Sequence, residues 1–217
     1  TLESQAFEPI TNPKEMNNTW QNVENTLNGN EEYRQLFMNA FNIDYIDSLH
    51  VVKAIAQFER SLISSNSKFD QFYRGEGSLS SSELNGYAIF NSEKGDCFHC
   101  HGTMLFTDNL FHNNGLDSEE PFIDNGLGDI TNNPADNGKF KTPSLRNVEF
   151  SAPYMHDGRF SSLEEVVSHY NDGGHYSSTV DPLMKKIGVG LQLTNQELND
   201  LIAFLKTLSD EDYIVED

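Results

Sequence analysis

Both cysteines of the chain fall within Cys97-Phe98-His99-Cys100-His101. This is a C-x-x-C-H pattern, the spacing used to attach a c-type haem. Two thiols three residues apart can each add to one vinyl group of a single porphyrin. The histidine beside the second thiol then lies under the iron and supplies the proximal imidazole nitrogen. Three other readings use the same residues. A structural zinc site needs four Cys or His ligands, and without a second C-x-x-C it would have to recruit His99 and His112. A thioredoxin-like redox pair expects a βαβ setting, which the sequence does not display. A disulfide across two intervening residues would be strained. Covalent haem c, one per chain, is the reading that this spacing favours.

His101 leaves the opposite face of the iron open. Met155 is a thioether in the Pro- and Gly-rich stretch Pro153-Tyr154-Met155-His156-Asp157-Gly158, and sulfur ligation raises a haem potential. Tyr170 closes a predicted helix, and a phenolate would favour the ferric state. Each has a plain packing role as the alternative, since methionine fills gaps and a tyrosine at a helix end is commonly half-buried. His156, His169 and His175 are further ligand candidates, and each is more often a loop or core residue. The guanidinium of Arg146 matches a haem propionate, or equally a loop carbonyl.

The elements that must position these groups read as helices. Residues 1–13 hold Pro9 and Pro13 and are expected to be irregular. Helical patterning runs from Lys14 to about Leu27 and again over 31–41. From Ile46 to Ile63, Val51, Ile55, Phe58 and Leu62 recur at helix spacing as one buried stripe. Ser80 and Glu83 form a capping box for a helix to Phe90, with Leu84, Tyr87, Ala88 and Phe90 facing inward. A long Gly/Asn-rich loop follows His101, punctuated by Phe106, Leu110, Phe111, Phe122 and Ile123. Two helices close the chain. Ser161 and Glu164 cap the first, and Thr194 and Glu197 the second, whose inner stripe is Leu198, Leu201, Ile202, Leu205 and Leu208. No stretch alternates like a strand. The expected class is all-α, a helical cytochrome c-like haem domain with long loops, whose acidic tail after Ser209 is frayed.

The 217 residues carry 34 acidic against 14 basic side chains, a formal charge of −20. That balance excludes nucleic acid as a partner and suits a basic protein partner steered in by the field, or serves solubility alone. No apolar run approaches the ~20 residues that span a bilayer, and no signal-peptide pattern is visible. Bacterial haem attachment takes place outside the cytoplasm, so a periplasmic location is expected, with a leader removed or lying upstream. The opening Thr1-Leu2-Glu3-Ser4-Gln5 reads as the interior of a longer chain.

Taken together, the motifs resemble the bacterial di-haem cytochrome c peroxidases and their relatives, including the maturation enzyme for methylamine dehydrogenase. The likeness rests on Leu2-Glu3-Ser4-Gln5-Ala6, Asn12-Pro13-Lys14-Glu15-Met16, Ala56-Gln57-Phe58-Glu59-Arg60, the C-x-x-C-H, Thr142-Pro143-Ser144-Leu145-Arg146-Asn147, Pro153-Tyr154-Met155-His156-Asp157-Gly158 and Ala203-Phe204-Leu205-Lys206-Thr207-Leu208. In that family an N-terminal haem meets peroxide and a C-terminal haem passes electrons to it. The single C-x-x-C-H here corresponds to the C-terminal haem. Residues 76–217 are thus expected to form the electron-transfer domain, and 1–75 the segment facing a peroxidatic haem domain that these residues do not include. The alternative from another class is a stand-alone mono-haem electron carrier.

The resemblance implies further roles. Gln5 and Glu15 match the polar pair above the peroxidatic haem, where a carboxylate would shuttle the peroxide proton. Read alone, Glu15 is a helix N-terminal residue complementing the dipole. Tyr170 matches the position of the family's distal methionine ligand, and the maturation branch uses a tyrosine there, so Tyr170 is preferred to Met155. Ser151 and Pro153 match backbone ligands of an inter-domain calcium. A small donor such as a cytochrome c or cupredoxin, and a homodimer, are also implied.

Overall fold

Aromatic burial decides where the helices meet. The computed structural model describes residues 1–118 and 124–213, and the chain parts into two compact units between Ile63 and Ser64. The architecture is all-α with long loops. Phe122 and Ile123, expected to punctuate the loop after the haem motif, lie outside the described residues, as do 214–217 of the acidic tail.

The first unit holds α1 (Leu2–Thr11), α2 (Trp20–Asn28), α3 (Glu31–Phe41) and α4 (Ser48–Ser61). The irregular start expected from Pro9 and Pro13 is instead helix α1, capped by the Thr1 side chain, with Pro9 inside it. Burial of Ala6 and Ile10 offsets the hydrogen bond that Pro9 cannot donate. The helix expected from Lys14 begins only at Trp20, where the Thr19 side chain accepts from the Asn22 amide. The buried stripe of α4 is Val51, Val52 and Ala56. Phe58 is 64% and Leu62 39% exposed, which corrects the expected stripe: the residues that pack are those turned toward α1. Asn28 clamps both the amide and the carbonyl of Ile46, at 3.0 and 2.8 Å, and ties α2 to the start of α4.

The second unit contains α5 (Lys68–Tyr73), α6 (Ser81–Phe90), α7 (Phe98–His101), α8 (Leu127–Thr131), α9 (Leu163–Asp172) and α10 (Asn195–Lys206). The expected boundary after residue 75 falls later than the observed division, because Phe69 of α5 is buried in this unit's core. Phe204 of α10 sits at the centre. Its ring lies 5.1 Å from Phe90, 5.6 Å from Phe69 and 5.2 Å from Tyr87, mostly edge-on or tilted, the geometry that aromatic quadrupoles favour. The capping boxes Ser80/Glu83 and Thr194/Glu197 are both present. That of α9 is Ser162 with Glu165, one residue later than expected, with Glu165 also accepting from the Ser161 amide. Leu201, Ile202, Leu205 and Leu208 are buried as the stripe predicts, with Leu198 at its edge. Leu84 is exposed, and Gly86, Ile89 and Phe90 form the buried face of α6. One antiparallel ladder interrupts the loops: β1 (Phe111–His112) on β2 (Phe140–Lys141), too short to leave an alternating pattern.

The crossing of α6 on α10 depends on a residue without a side chain. A Cβ on Gly86 would stand 1.9 Å from the Asp200 carbonyl oxygen and 2.8 Å from the Phe204 Cβ. Asp200, buried, accepts hydrogen bonds from Ser82, Asn85 and Gln196 and pins the crossing. Gly86→Ala should therefore destabilise the protein by about 1–3 kcal/mol, the usual cost of overpacking, read as a lower midpoint in urea. An unchanged midpoint would mean that the helices separate freely.

Candidate haem centre

The haem motif is delivered by a turn that only glycine permits. After α6 the chain reverses through Ser92–Asp96, where a Cβ on Gly95 would meet the Ile89 carbonyl oxygen at 2.2 Å. Asp96 takes a left-handed conformation, and Cys97 caps the single-turn helix α7 that carries Cys100 and His101. Both thiols are free. Burial, with Asp96 and Cys100 adding to it, pushes the Cys97 thiol up to about 12, and burial pushes Cys100 up to about 11. A thioredoxin-like pair sits in a βαβ setting, whereas the strands among the described residues form a single short antiparallel pair.

His101 is prepared as a metal ligand. Its Nδ1 lies 2.7 Å from the Phe106 carbonyl oxygen, which can only accept. Nδ1 therefore carries the proton and Nε2 the lone pair, the arrangement that a second partner imposes on ligating histidines. Burial holds the pKa below the ordinary value, which keeps the ring neutral. Phe106 is itself fixed, since its ring lies 5.5 Å from Phe69 and 6.0 Å from Phe90 in the aromatic core.

Tyr170 and Met155, distant in sequence, meet at one side chain. The Asn114 amide nitrogen donates to the Tyr170 hydroxyl at 3.1 Å and contacts the Met155 sulfur at 3.6 Å. Burial raises the Tyr170 pKa, and the Asn114 bond opposes the rise. The phenol is near enough to Cys97 and Cys100 to sense charge on either. Met155 has a left-handed backbone (φ 71°) in a turn closed by the Tyr154–Phe160 bridge. Of the other histidines, His156 stacks on Phe140 at 3.6 Å, His175 donates its backbone amide to the Gly115 carbonyl, and His169 bonds the Asn114 backbone.

The loop carrying Asn114 is held by a charge relay that the sequence did not announce. The two ring nitrogens of His112 lie 2.6 Å from Asp181 and 2.8 Å from Asp108. Burial works against charge on this ring, but the two carboxylates outweigh it and raise the pKa. With both nitrogens engaged, His112 has none to offer a metal. Among the described residues, the groups with metal-ligand geometry are Cys100-Asp108-His112 and Glu93-Asp96-His99. The second is already occupied by a cation, because Lys185 Nζ lies 2.8 Å from Glu93 and 2.9 Å from His99.

Arg146 binds a loop carbonyl, one of its two expected partners, and adds a protein carboxylate. Its guanidinium grips buried Asp70 through two hydrogen bonds of 2.8 and 2.9 Å, and its Nε and one terminal nitrogen donate to the Met104 carbonyl. The pair stabilises Asp70 as an anion, with burial working against it. Ser151 and Pro153 lie exposed between a 3-10 turn and the Tyr154 bridge. Gln5 is exposed on α1, and exposed Glu15 accepts from the Asn12 side chain at 2.7 Å.

Paired thiols, a neutral histidine with a fixed tautomer, and oxygen and sulfur donors gathered by one amide fit the donor set of a c-type haem. The comparisons agree. Residues 1–78 match the family model described as di-haem cytochrome c peroxidase. A solved structure of a MauG-like protein associated with microbial copper homeostasis shares 34% identity with a TM-score of 0.89, over 99% of this chain and 70% of that one. The chain belongs to the di-haem cytochrome c peroxidase family. Curated relatives include the methylamine utilization protein MauG of Methylophilus methylotrophus, 37% identical over 96% of this chain and 61% of that protein. The MauG of Methylorubrum extorquens is 39% identical, over 97% of this chain and 59% of its own length. Cytochrome c551 peroxidase of Nitrosomonas europaea is 33% identical over 96% of this chain and 58% of its length. The chain thus spans about three fifths of the length of these curated relatives. Among the described residues no helix is long and apolar enough to cross a membrane.

The relay at His112 has a pH consequence. A histidine whose pKa rises on folding contributes stability that is complete below its unfolded value, about 6.5, and that is lost as pH rises through the folded value. Thermal melts from about pH 6 to pH 9 should show wild type losing stability over that range more steeply than His112→Gln. Parallel profiles would show that the imidazolium contributes nothing.

Proposed function

We propose that this chain is the electron-transfer haem c domain of a di-haem cytochrome c peroxidase-like oxidoreductase. The observation that carries the reading is His101, kept neutral by burial and fixed in its ligating tautomer by the Phe106 carbonyl, beside two free thiols at attachment spacing. A haem c bound there supplies a one-electron iron couple. Cys97 and Cys100 would hold it covalently, His101 Nε2 would be the proximal ligand, and Tyr170, with Met155 as the alternative, the distal one. Electrons would arrive from a small donor, a cytochrome c or cupredoxin with a basic face suited to the −20 charge. They would pass on to a peroxidatic haem in an N-terminal domain, where hydrogen peroxide, two electrons and two protons give water.

The other assignments extend the same reading. The first unit, residues 1–63, would face that N-terminal domain. There Gln5 would orient peroxide, and Glu15 would take its proton and return it to the departing oxygen. The exposed carboxylate of Glu15 is available for that work. The carbonyls of Ser151 and Pro153 would contribute to a calcium site completed by the N-terminal domain. A periplasmic location and a homodimer complete the proposal.

A second reading has its own support. The hydroxyl of Tyr170 is held by Asn114, and two curated relatives are named methylamine utilization protein MauG. A tyrosine-ligated enzyme that oxidises a protein substrate would use the same donor set. Pyridine haemochrome analysis of protein matured in a periplasm should give one covalent haem per 217-residue chain, and none for the Cys97→Ala, Cys100→Ala double variant. Tyr170→Phe should change the ferric visible spectrum and raise the midpoint potential. If Met155→Ala does so instead, methionine is the ligand; a colourless wild type would overturn the haem reading.

A further inference from the structure

The Asn114 side chain is shared by both distal candidates, and it is built to stay in place. The Asn114 backbone is bonded by His169, the neighbour of Tyr170 on α9. The preceding residue, Asn113, is 2% exposed and donates to Ser177 and Thr179 at 3.1 and 2.9 Å. Its side-chain oxygen takes the Gly115 amide at 2.9 Å, and the Gly115 carbonyl takes the His175 amide at 2.7 Å. Asp181, which holds His112, also donates its backbone amide to the Asn113 carbonyl at 2.9 Å. The amide is therefore presented by a strap bonded on both sides and cannot follow Tyr170 if that ring moves.

An amide nitrogen has two hydrogens and no lone pair to offer. One hydrogen is directed at the Tyr170 oxygen, the other at the Met155 sulfur. The two contacts are unequal, because a thioether is a weak acceptor, whereas a hydrogen bond to an anionic oxygen is roughly twice as strong as a neutral one. A phenolate oxygen bound to iron keeps lone-pair density that the Asn114 N–H can draw on. Such a bond lowers the energy of the phenolate electrons and reduces what they donate to the metal, the usual action of an outer partner on a ligand.

We propose that Asn114 is a positioning residue for the electron-transfer haem: its side-chain N–H donates to the Tyr170 oxygen and moderates the electron donation of that ligand, raising the potential of the site. The inference rests on the proposed ligation by Tyr170.

The test uses the haem-loaded protein and spectroelectrochemistry. Asn114→Leu, of similar shape but without a donor, should keep tyrosine ligation, move the phenolate-to-iron charge-transfer band to longer wavelength and lower the midpoint potential. Asn114→Ser, which is polar but too short to reach Tyr170, should shift both in the same direction, so the outcome does not depend on tolerance of leucine. Tyr170→Phe, which removes the ligand, should move the potential the opposite way. If Tyr170→Phe alters the spectrum while both Asn114 variants match wild type, or raise the potential, the Asn114 proposal fails and the ligand assignment stands. If Tyr170→Phe leaves the spectrum unchanged, the ligand assignment fails and the inference falls with it.

Discussion

Phe106 ties the chemistry of this protein to its core. Its ring is packed against Phe69 and Phe90, and its carbonyl oxygen accepts from His101 Nδ1. The residue adopts a left-handed backbone, which turns ring and carbonyl to opposite duties. A rigid aromatic cluster thereby sets which imidazole nitrogen is free to bind metal. The arrangement makes the His101 ring as stiff as the packing of α5, α6 and α10. An imidazole held in this way would need little rearrangement when the charge on a bound metal changes.

The distal side is organised by different physics. Few apolar contacts hold the long loops, and hydrogen bonds and buried charge replace them. His112 lies between Asp108 and Asp181, and Asn113 zips one loop to another through Ser177 and Thr179. Buried ionic contacts of this kind add little net stability but are expensive to break. They fix one register of the loops, so that Asn114 arrives beside Tyr170 and Met155. A site built on polar register is sensitive to single hydrogen-bond donors in a way that the aromatic core is not.

The first unit shows how local rules give way to burial. Pro9 sits inside α1, against its intrinsic preference, because Ala6 and Ile10 gain more by packing than the missing amide costs. The same trade appears in α4, where helical spacing offers several candidate stripes and the partner helix selects Val51, Val52 and Ala56. A periodic pattern states that a face will be buried; the neighbour decides which one.

The sequence alone determined the C-x-x-C-H motif, the helical class and the starts of α3, α6 and α10. Spacing along one chain dictates these directly, as with Cys97, Cys100 and His101, or the capping pairs Ser80/Glu83 and Thr194/Glu197. Tyr170 and Met155 were legible as candidates through their residue types and family likeness. Asn114, the Phe106 carbonyl and the Asp108-His112-Asp181 relay were not. They lie in irregular segments or a two-residue strand without periodicity; Asn114 meets Met155 and Tyr170, and His112 meets Asp181, across long stretches of chain, while the Phe106 carbonyl reaches His101 only through the left-handed turn that the aromatic core holds. Arg146 was legible as a carboxylate binder, but only the fold chose Asp70 as its partner. Local geometry is written in neighbouring residues, whereas hydrogen bonds between loops depend on a register that only the packed tertiary structure establishes.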